Sequence, residues 1–242
     1  MNFAFVSLIT SDEYLPGAIC LSKSLKSIYP LIILAVPENL STATVNALYD
    51  AYDSVIFVPE INSNQFAELD LLGRRDLNST LSKIHCFNPQ IIKHDRICFL
   101  DADMLLLENI DGIFSYLNDP KVMFAAAPDI GWPDCFNSGL FVTRPSTELF
   151  LGLLELNKSV GSFDGGDQGL LNSFFSSWSG HAKTRAPKSV RLPFTYNVTP
   201  TAFYSYLPAF AEFNDCISCI HFIGKVKPWH YDRFADGGIV PR

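Results

Sequence analysis

ICFLDADMLLL, residues 97–107, places two carboxylates, Asp101 and Asp103, between two apolar runs. Residues 97–100 are apolar throughout, the pattern of a strand covered on both faces. In an extended chain residues i and i+2 point the same way, with Cα atoms roughly 6–7 Å apart. Two carboxylates on one side of a strand end can hold one hard cation, Mn²⁺ or Mg²⁺, and leave it open positions for phosphate oxygens. Ligands of open α/β sheets bind there, beyond the strand C-termini. An Asp-x-Asp pair also occurs as a solvated turn. The flank favours the cation, because carboxylates wedged between apolar runs repel each other without one.

Working outward, further short apolar runs fall at 3–9, 31–36, 54–58, 122–126 and 139–142. Helical patterns alternate with them. Ala18, Leu21, Leu25 and Ile28 recur at helical spacing, residues 41–52 and 79–93 give two more helices, and Pro89 must end or kink the second. Pro145 suits the first turn of a helix over 146–158, and Leu170, Leu171, Phe174, Phe175 and Trp178 form one apolar stripe. The β-α-β-α order predicts an α/β fold with a single doubly wound, mostly parallel sheet flanked by helices. After Gly180 the regularity fails, and no linker divides the chain, so 1–242 reads as a single domain. The polar, Gly-rich tail 231–242 reads as loose.

The 242 residues are 48% hydrophobic and 18% charged, a composition with ample material for a core. A net charge of −7 argues against nucleic acid as a bulk partner. The N-terminus lacks a basic region before its short apolar run, which argues against a secretory signal. No apolar stretch approaches the roughly 20 residues of a membrane span. The six cysteines are scattered, mostly in apolar segments, as buried thiols of a cytoplasmic protein would be.

Two further motifs carry chemistry. Asp164-Gly165-Gly166-Asp167-Gln168-Gly169 precedes a helix expected to start near Leu170. Its glycines permit close approach of a ligand, and two acids and an amide can meet sugar hydroxyls, one acid facing the anomeric carbon. A capped turn explains the same residues. His221-Phe222-Ile223-Gly224-Lys225-Val226-Lys227-Pro228-Trp229 offers an imidazole to complete a metal site, a glycine N–H for a phosphate oxygen and a lysine for a diphosphate. A structural histidine after an apolar strand is the plainer reading of His221. Cys216, Cys219 and His221 do not make a zinc site, for want of a second cysteine pair at matching spacing.

Together these motifs resemble the glycogenins, within the retaining glycosyltransferases of family 8. FVSLITSDEYLPGA, FLDADMLLLENID, PDIGWPDCFNSGLFV with GSFDGGDQGLLNSFFSSW, and YSYLPAF followed by HFIGKVKPW carry the likeness, from Phe3 to about Trp229. The resemblance implies a GT-A fold, a nucleotide-binding half over 1–130, an acceptor and catalytic half over 131–230, Mn²⁺ (with Mg²⁺ as the alternative), UDP-glucose and a homodimer. It implies self-glucosylation and growth of a short α-1,4-glucan primer for glycogen synthesis. By position, Asp101, Asp103 and His221 match metal ligands. Leu8, Thr10, Ser11 and Tyr14 match the nucleotide-binding first loop, with Ala102 between the acids. Arg74 and Lys83 match cationic donor contacts. Asn137, Asp164, Asp167, Gln168 and Asn197 match sugar-facing positions, Asp167, Asp164 and Lys83 being the catalytic set. Gly224 and Lys227 match the diphosphate grip, and Tyr204 the glucosylated tyrosine, with Tyr206 its nearest competitor. Ser11 stands where the family often has Asn, and the ending HYDRFADGGIVPR departs from its pattern. The segment through which glycogenins recruit glycogen synthase is not in this sequence. Glucan or a maltooligosaccharide is the implied later acceptor. Two other readings are a family 8 hexosyltransferase acting on a small acceptor, and an inactive scaffold that binds UDP or glycan.

Overall fold

Four parallel strands begin the sheet. β1 (Phe3–Ile9), β2 (Leu31–Ala35), β3 (Ser54–Phe57) and β4 (Arg96–Leu100) lie in the order β3-β2-β1-β4. Next to β4 lies β7 (Phe136–Thr143), which runs against both its neighbours, and then β6 (Phe124–Pro128) and β8 (Ser189–Arg191), parallel to each other. The result is a seven-stranded, mostly parallel sheet. The computed structural model describes residues 2–63, 65–132, 134–180, 186–200, 206–233 and 239–241.

Both faces of the sheet are covered, which is why its central strands read as continuous apolar runs. Alternate residues of each strand enter two separate cores. Phe5, Ile33, Cys98 and Leu140 pack with Ala18 and Leu21 of α1 (Leu15–Ser24), Leu48 of α2 (Thr42–Ala51) and Phe114. Val6, Leu34, Phe99 and Phe141 pack with Leu149 and Leu153 of α4 (Thr147–Ser159), Leu170 and Leu171 of α5 (Asp167–Phe174), and Leu81 and Phe87. α3 is Phe66–Leu72 and α6 is Leu207–Phe213. On the second face Phe124 and Phe175 stack with centroids 4.0 Å apart, and Phe99 and Phe141 at 5.0 Å. Each such pair adds about 0.5–1.5 kcal/mol beyond the area it buries.

The helices differ from the sequence expectation at their ends. The first stops at Ser24, leaving Leu25 extended and Ile28 outside it. Ser41 and Ser146 are N-caps whose hydroxyls accept from the N–H groups of Thr44 and Leu149, so Pro145 precedes its helix rather than entering it. The helix expected over 79–93 is a 3₁₀ run, Arg75–Phe87, that ends before Pro89. α5 begins at Asp167, earlier than expected, and Trp178 lies past its end in a 3₁₀ turn. Beyond Gly180 the described residues supply β8 and three short strands more. β9 (Cys219–His221) pairs antiparallel with β5 (Met104–Leu106). In the tail expected to be loose, β10 (Tyr231–Arg233) pairs with β11 (Ile239–Pro241).

Candidate active site

The β4 end and the β5–β9 pair bring the acids to the imidazole. Asp101 follows β4 directly, its N–H donating to the Gly139 carbonyl at 2.8 Å. The chain turns once, with the Met104 N–H donating to the Asp101 carbonyl, and enters β5. There Met104 pairs with His221, the last residue of β9. His221 Nε2 consequently lies 3.2 Å from Asp103 Oδ1 and 3.8 Å from Asp101 Oδ2. The three side chains offer ligand atoms all within 4.8 Å of one another. Two carboxylates and an imidazole are an oxygen-rich donor set that fits a divalent ion of the Mg²⁺–Mn²⁺ kind.

Two lysines flank the acids. Lys227 Nζ lies 2.5 Å from Asp103 Oδ2 and donates to the Phe222 carbonyl at 2.9 Å. Lys83 Nζ lies 3.0 Å from Asp101 Oδ1 and 2.6 Å from Asp167 Oδ2, above the Phe99 ring at 4.7 Å. Burial raises the Asp101 carboxyl; Lys83 draws it back, and the Asp103 and Asp167 charges push it up again. Burial would raise Asp103 too, but His221 and Lys227 outweigh it and hold the group well below the usual carboxylate range. Burial disfavours the Lys83 ammonium, and Asp101 and Asp167 more than offset that and raise it.

The acidic loop meets the same cavity from the other side. Ser138 Oγ donates to Asp167 Oδ2 at 2.6 Å. Against the pull of burial, Lys83 and Ser138 keep Asp167 below its ordinary value. Asp164 accepts from Ser162 Oγ at 2.7 Å and from the Gly166 N–H at 2.9 Å, yet burial dominates and raises it. Gly165 has φ +76° and packs so closely that a Cβ would come 2.8 Å from Leu69 Cγ, so only glycine fits the turn.

A cavity of about 430 Å³ joins these groups. It is lined by the expected Leu8, Thr10, Tyr14, Arg74, Lys83, Asp101, Ala102, Asp103, Asn137, Asp164, Asp167, Gln168, His221, Gly224 and Lys227. Gly224 has φ +95°, with open space where a side chain would be. Ser11 and Asn197 are placed differently. Ser11 precedes the 3₁₀ turn Asp12–Tyr14, and Asn197 is buried against His221. Tyr204 lies outside the described residues. Sequence reasoning missed Leu77, Thr80, Asp129, Ser138, Gly139 and Ile223, which also line the cavity. Asp129 and Ser138 stood inside the quoted PDIGWPDCFNSGLFV stretch, and nothing in their spacing sets them apart.

All six cysteines are free thiols. Among the described residues no helix is long and apolar enough to cross a membrane.

The chain is 46% identical to human glycogenin-1 over 94% of its own length and 62% of that protein, and 45% identical to rabbit (Oryctolagus cuniculus) glycogenin-1 over 94% and 66%. Glycogenin from the yeast Komagataella phaffii is 35% identical over 99% of this chain and 62% of the relative. This chain therefore spans about two thirds, or less, of the relatives it matches. The galactosyltransferase LgtC, solved with donor and acceptor sugar analogues, superposes with a TM-score of 0.64 at 18% identity, over 94% of this chain and 89% of that one. That likeness is one of fold, and the fold is GT-A. The sequence profile described as glycosyl transferase family 8 matches residues 5–233, from the first strand through β10 and every described element that frames the cavity, and the chain belongs to that family.

Proposed function

We propose that this chain transfers glucose from UDP-glucose to Tyr204 of its own homodimer, with retention at the anomeric carbon, and then extends a short α-1,4-glucan that primes glycogen synthesis. The observation that carries the proposal is the division of one cavity into two ends. Asp101, Asp103, His221 and Lys227 suit a diphosphate with its metal, and Asp164, Asp167 and Gln168 suit a sugar. Lys83 spans them, 3.0 Å from Asp101 and 2.6 Å from Asp167. Identity to the glycogenins supports the choice of donor and acceptor.

A divalent ion, Mn²⁺ or Mg²⁺, held by Asp101, Asp103 and His221 would supply charge neutralisation at the leaving diphosphate. Lys227 and the Gly224 N–H bind the same diphosphate and stabilise the charge that develops as it departs. Lys83 and Ser138 keep Asp167 ionised, so it presents a negative charge to the oxocarbenium-like sugar. Asp164 and Gln168 hold sugar hydroxyls through hydrogen bonds. Thr10 and Tyr14 border the nucleotide end. Tyr206 and Leu207, close to Tyr204 in the chain, are exposed, as side chains meeting a second copy would be. The free thiols suit a cytoplasmic setting. Recruitment of glycogen synthase is assigned to a segment not in this sequence.

Intact-mass measurement after incubation with UDP-glucose and Mn²⁺ tests the proposal. A ladder of hexose additions, abolished by Tyr204→Phe while transfer to added maltoside persists, is the expected result. A single product on a small acceptor with no protein-bound hexose indicates another family 8 transferase. UDP binding without turnover indicates a scaffold.

A further inference from the structure

We infer that Asn197, Asn137 and Asp129 form a positioning relay that fixes the orientation and tautomer of His221. The inference rests on the metal–diphosphate reading above. Its basis is the direction of four hydrogen bonds. The Gly139 N–H lies 2.9 Å from Asn137 Oδ1, and a backbone N–H can only donate, so that atom is the amide oxygen. The Asn137 nitrogen then donates to Asp129 Oδ2 at 3.2 Å, and a carboxylate there can only accept. Asn137 Oδ1 also accepts from Asn197 Nδ2 at 2.9 Å. That leaves the Asn197 oxygen facing His221 Nδ1 at 2.9 Å. An amide oxygen has no hydrogen to give, so Nδ1 carries one. That leaves Nε2 to face Asp103 and Asp101, where a divalent ion held by the two acids would meet it.

Packing fixes the ring where the relay needs it. A Cβ on Gly139 would lie 2.2 Å from His221 Cε1, so the ring occupies the space of a missing side chain. Asn197 is 2% exposed, with its amide nitrogen and oxygen both engaged inside the protein. Asp129 is itself fixed, accepting from the Gly131 N–H at 2.9 Å through Oδ1 and from Gln168 Nε2 at 3.2 Å through Oδ2. Partners that orient a metal-binding imidazole typically change metal affinity about 10–100-fold when removed.

The test separates a relay from sugar contacts by using UDP, which carries no sugar. Mn²⁺ affinity is measured by electron paramagnetic resonance in the presence of saturating UDP. Asn197→Ala is expected to weaken Mn²⁺ by about 10–100-fold, Asn137→Ala less and Asp129→Ala least, in order of distance along the chain of bonds. Asp129→Asn keeps one acceptor oxygen where the carboxylate uses two, and is expected to fall between Asp129→Ala and the unaltered protein. If Asn197→Ala does not fold, the Asn137 and Asp129 variants alone decide. Unchanged Mn²⁺ affinity in them would overturn the relay, whatever the KM for UDP-glucose. If the unaltered protein binds no Mn²⁺ with UDP, the metal–diphosphate reading fails first, and the relay with it.

Discussion

Lys227 rests its ammonium 2.5 Å from Asp103 Oδ2, on the carboxylate that a divalent ion would share with His221. Breaking a buried pair of this kind is costly, because it leaves the other partner's charge buried and unpaired. An incoming ion competes with Lys227 for Asp103, and an incoming diphosphate offers Lys227 a new anion. Lys227→Met should therefore act in opposite senses on the two ligands. Mn²⁺ alone should bind several-fold more tightly, because its competitor is gone. UDP with Mn²⁺ should bind about 10–100-fold more weakly, for loss of a charge-assisted contact of ~1.5–3 kcal/mol. Calorimetric titrations of each ligand check both signs. Weaker binding of Mn²⁺ alone would show that Lys227 does not compete for the metal carboxylates.

Asp164 and Asp167 respond to one loop in opposite ways, so their amide variants should part company in stability. Burial raises Asp164. A raised carboxyl gives stability that is full below its unfolded value and is lost as pH rises through its folded one, so at neutral pH the charge costs stability. Asp164→Asn removes that cost, and should raise Tm at pH 7 by about 2–4 °C for ~1 kcal/mol, the gain fading toward about pH 4. Burial pulls Asp167 the same way, but Lys83 and Ser138 prevail and lower it. Its contribution is present above the unfolded value and lost as pH falls through the folded one. Asp167→Asn should cost about 1.5–3 kcal/mol at neutral pH, a deficit that shrinks on acidification. Transfer should fall in both. Thermal scans from acid to neutral pH read the signs, and a stabilised Asp167→Asn would undo the account of Lys83.

How much of this was legible depends on whether the signal is contiguous. β1 to β4 announce themselves as apolar runs because both faces are covered, and DADM, DGGDQG and HFIGKVKPW carry their chemistry within a few residues. β8 is three residues, Ser-Val-Arg, and is a strand only because the edge of β6 accepts it at Phe124–Ala126. The run Arg75–Phe87 is 3₁₀ rather than α-helical where Asn78, Ser79, Thr80 and Ser82 crowd together, and the Thr80 hydroxyl donates to the Leu77 carbonyl at 2.7 Å. Asn197 illustrates the remaining gap. Position by resemblance turns it toward the sugar, and only the folded arrangement sets it against His221, 24 residues further along the chain.

Gly17 tests how the C-terminal segment places Lys227. Pro228–His230 lies on the start of α1, with the Trp229 ring edge-on to Tyr14 at 6.0 Å and His230 Nε2 3.2 Å from Glu13 Oε1. A Cβ on Gly17 would come 2.5 Å from the Ala102 carbonyl oxygen and 2.6 Å from the Trp229 ring. The backbone oxygen belongs to the turn between the two metal-site acids and has little room to yield. Gly17→Ala should thus push Trp229 outward and draw Lys227 away from Asp103, with an overpacking cost of about 1–3 kcal/mol. The UDP–Mn²⁺ complex should weaken as in Lys227→Met, although the lysine is still present. A double variant, Gly17→Ala with Lys227→Met, should then bind UDP no more weakly than Lys227→Met alone, because both changes remove one contact. Additive losses in that cycle would mean that Gly17 and Trp229 support the nucleotide by a route independent of Lys227.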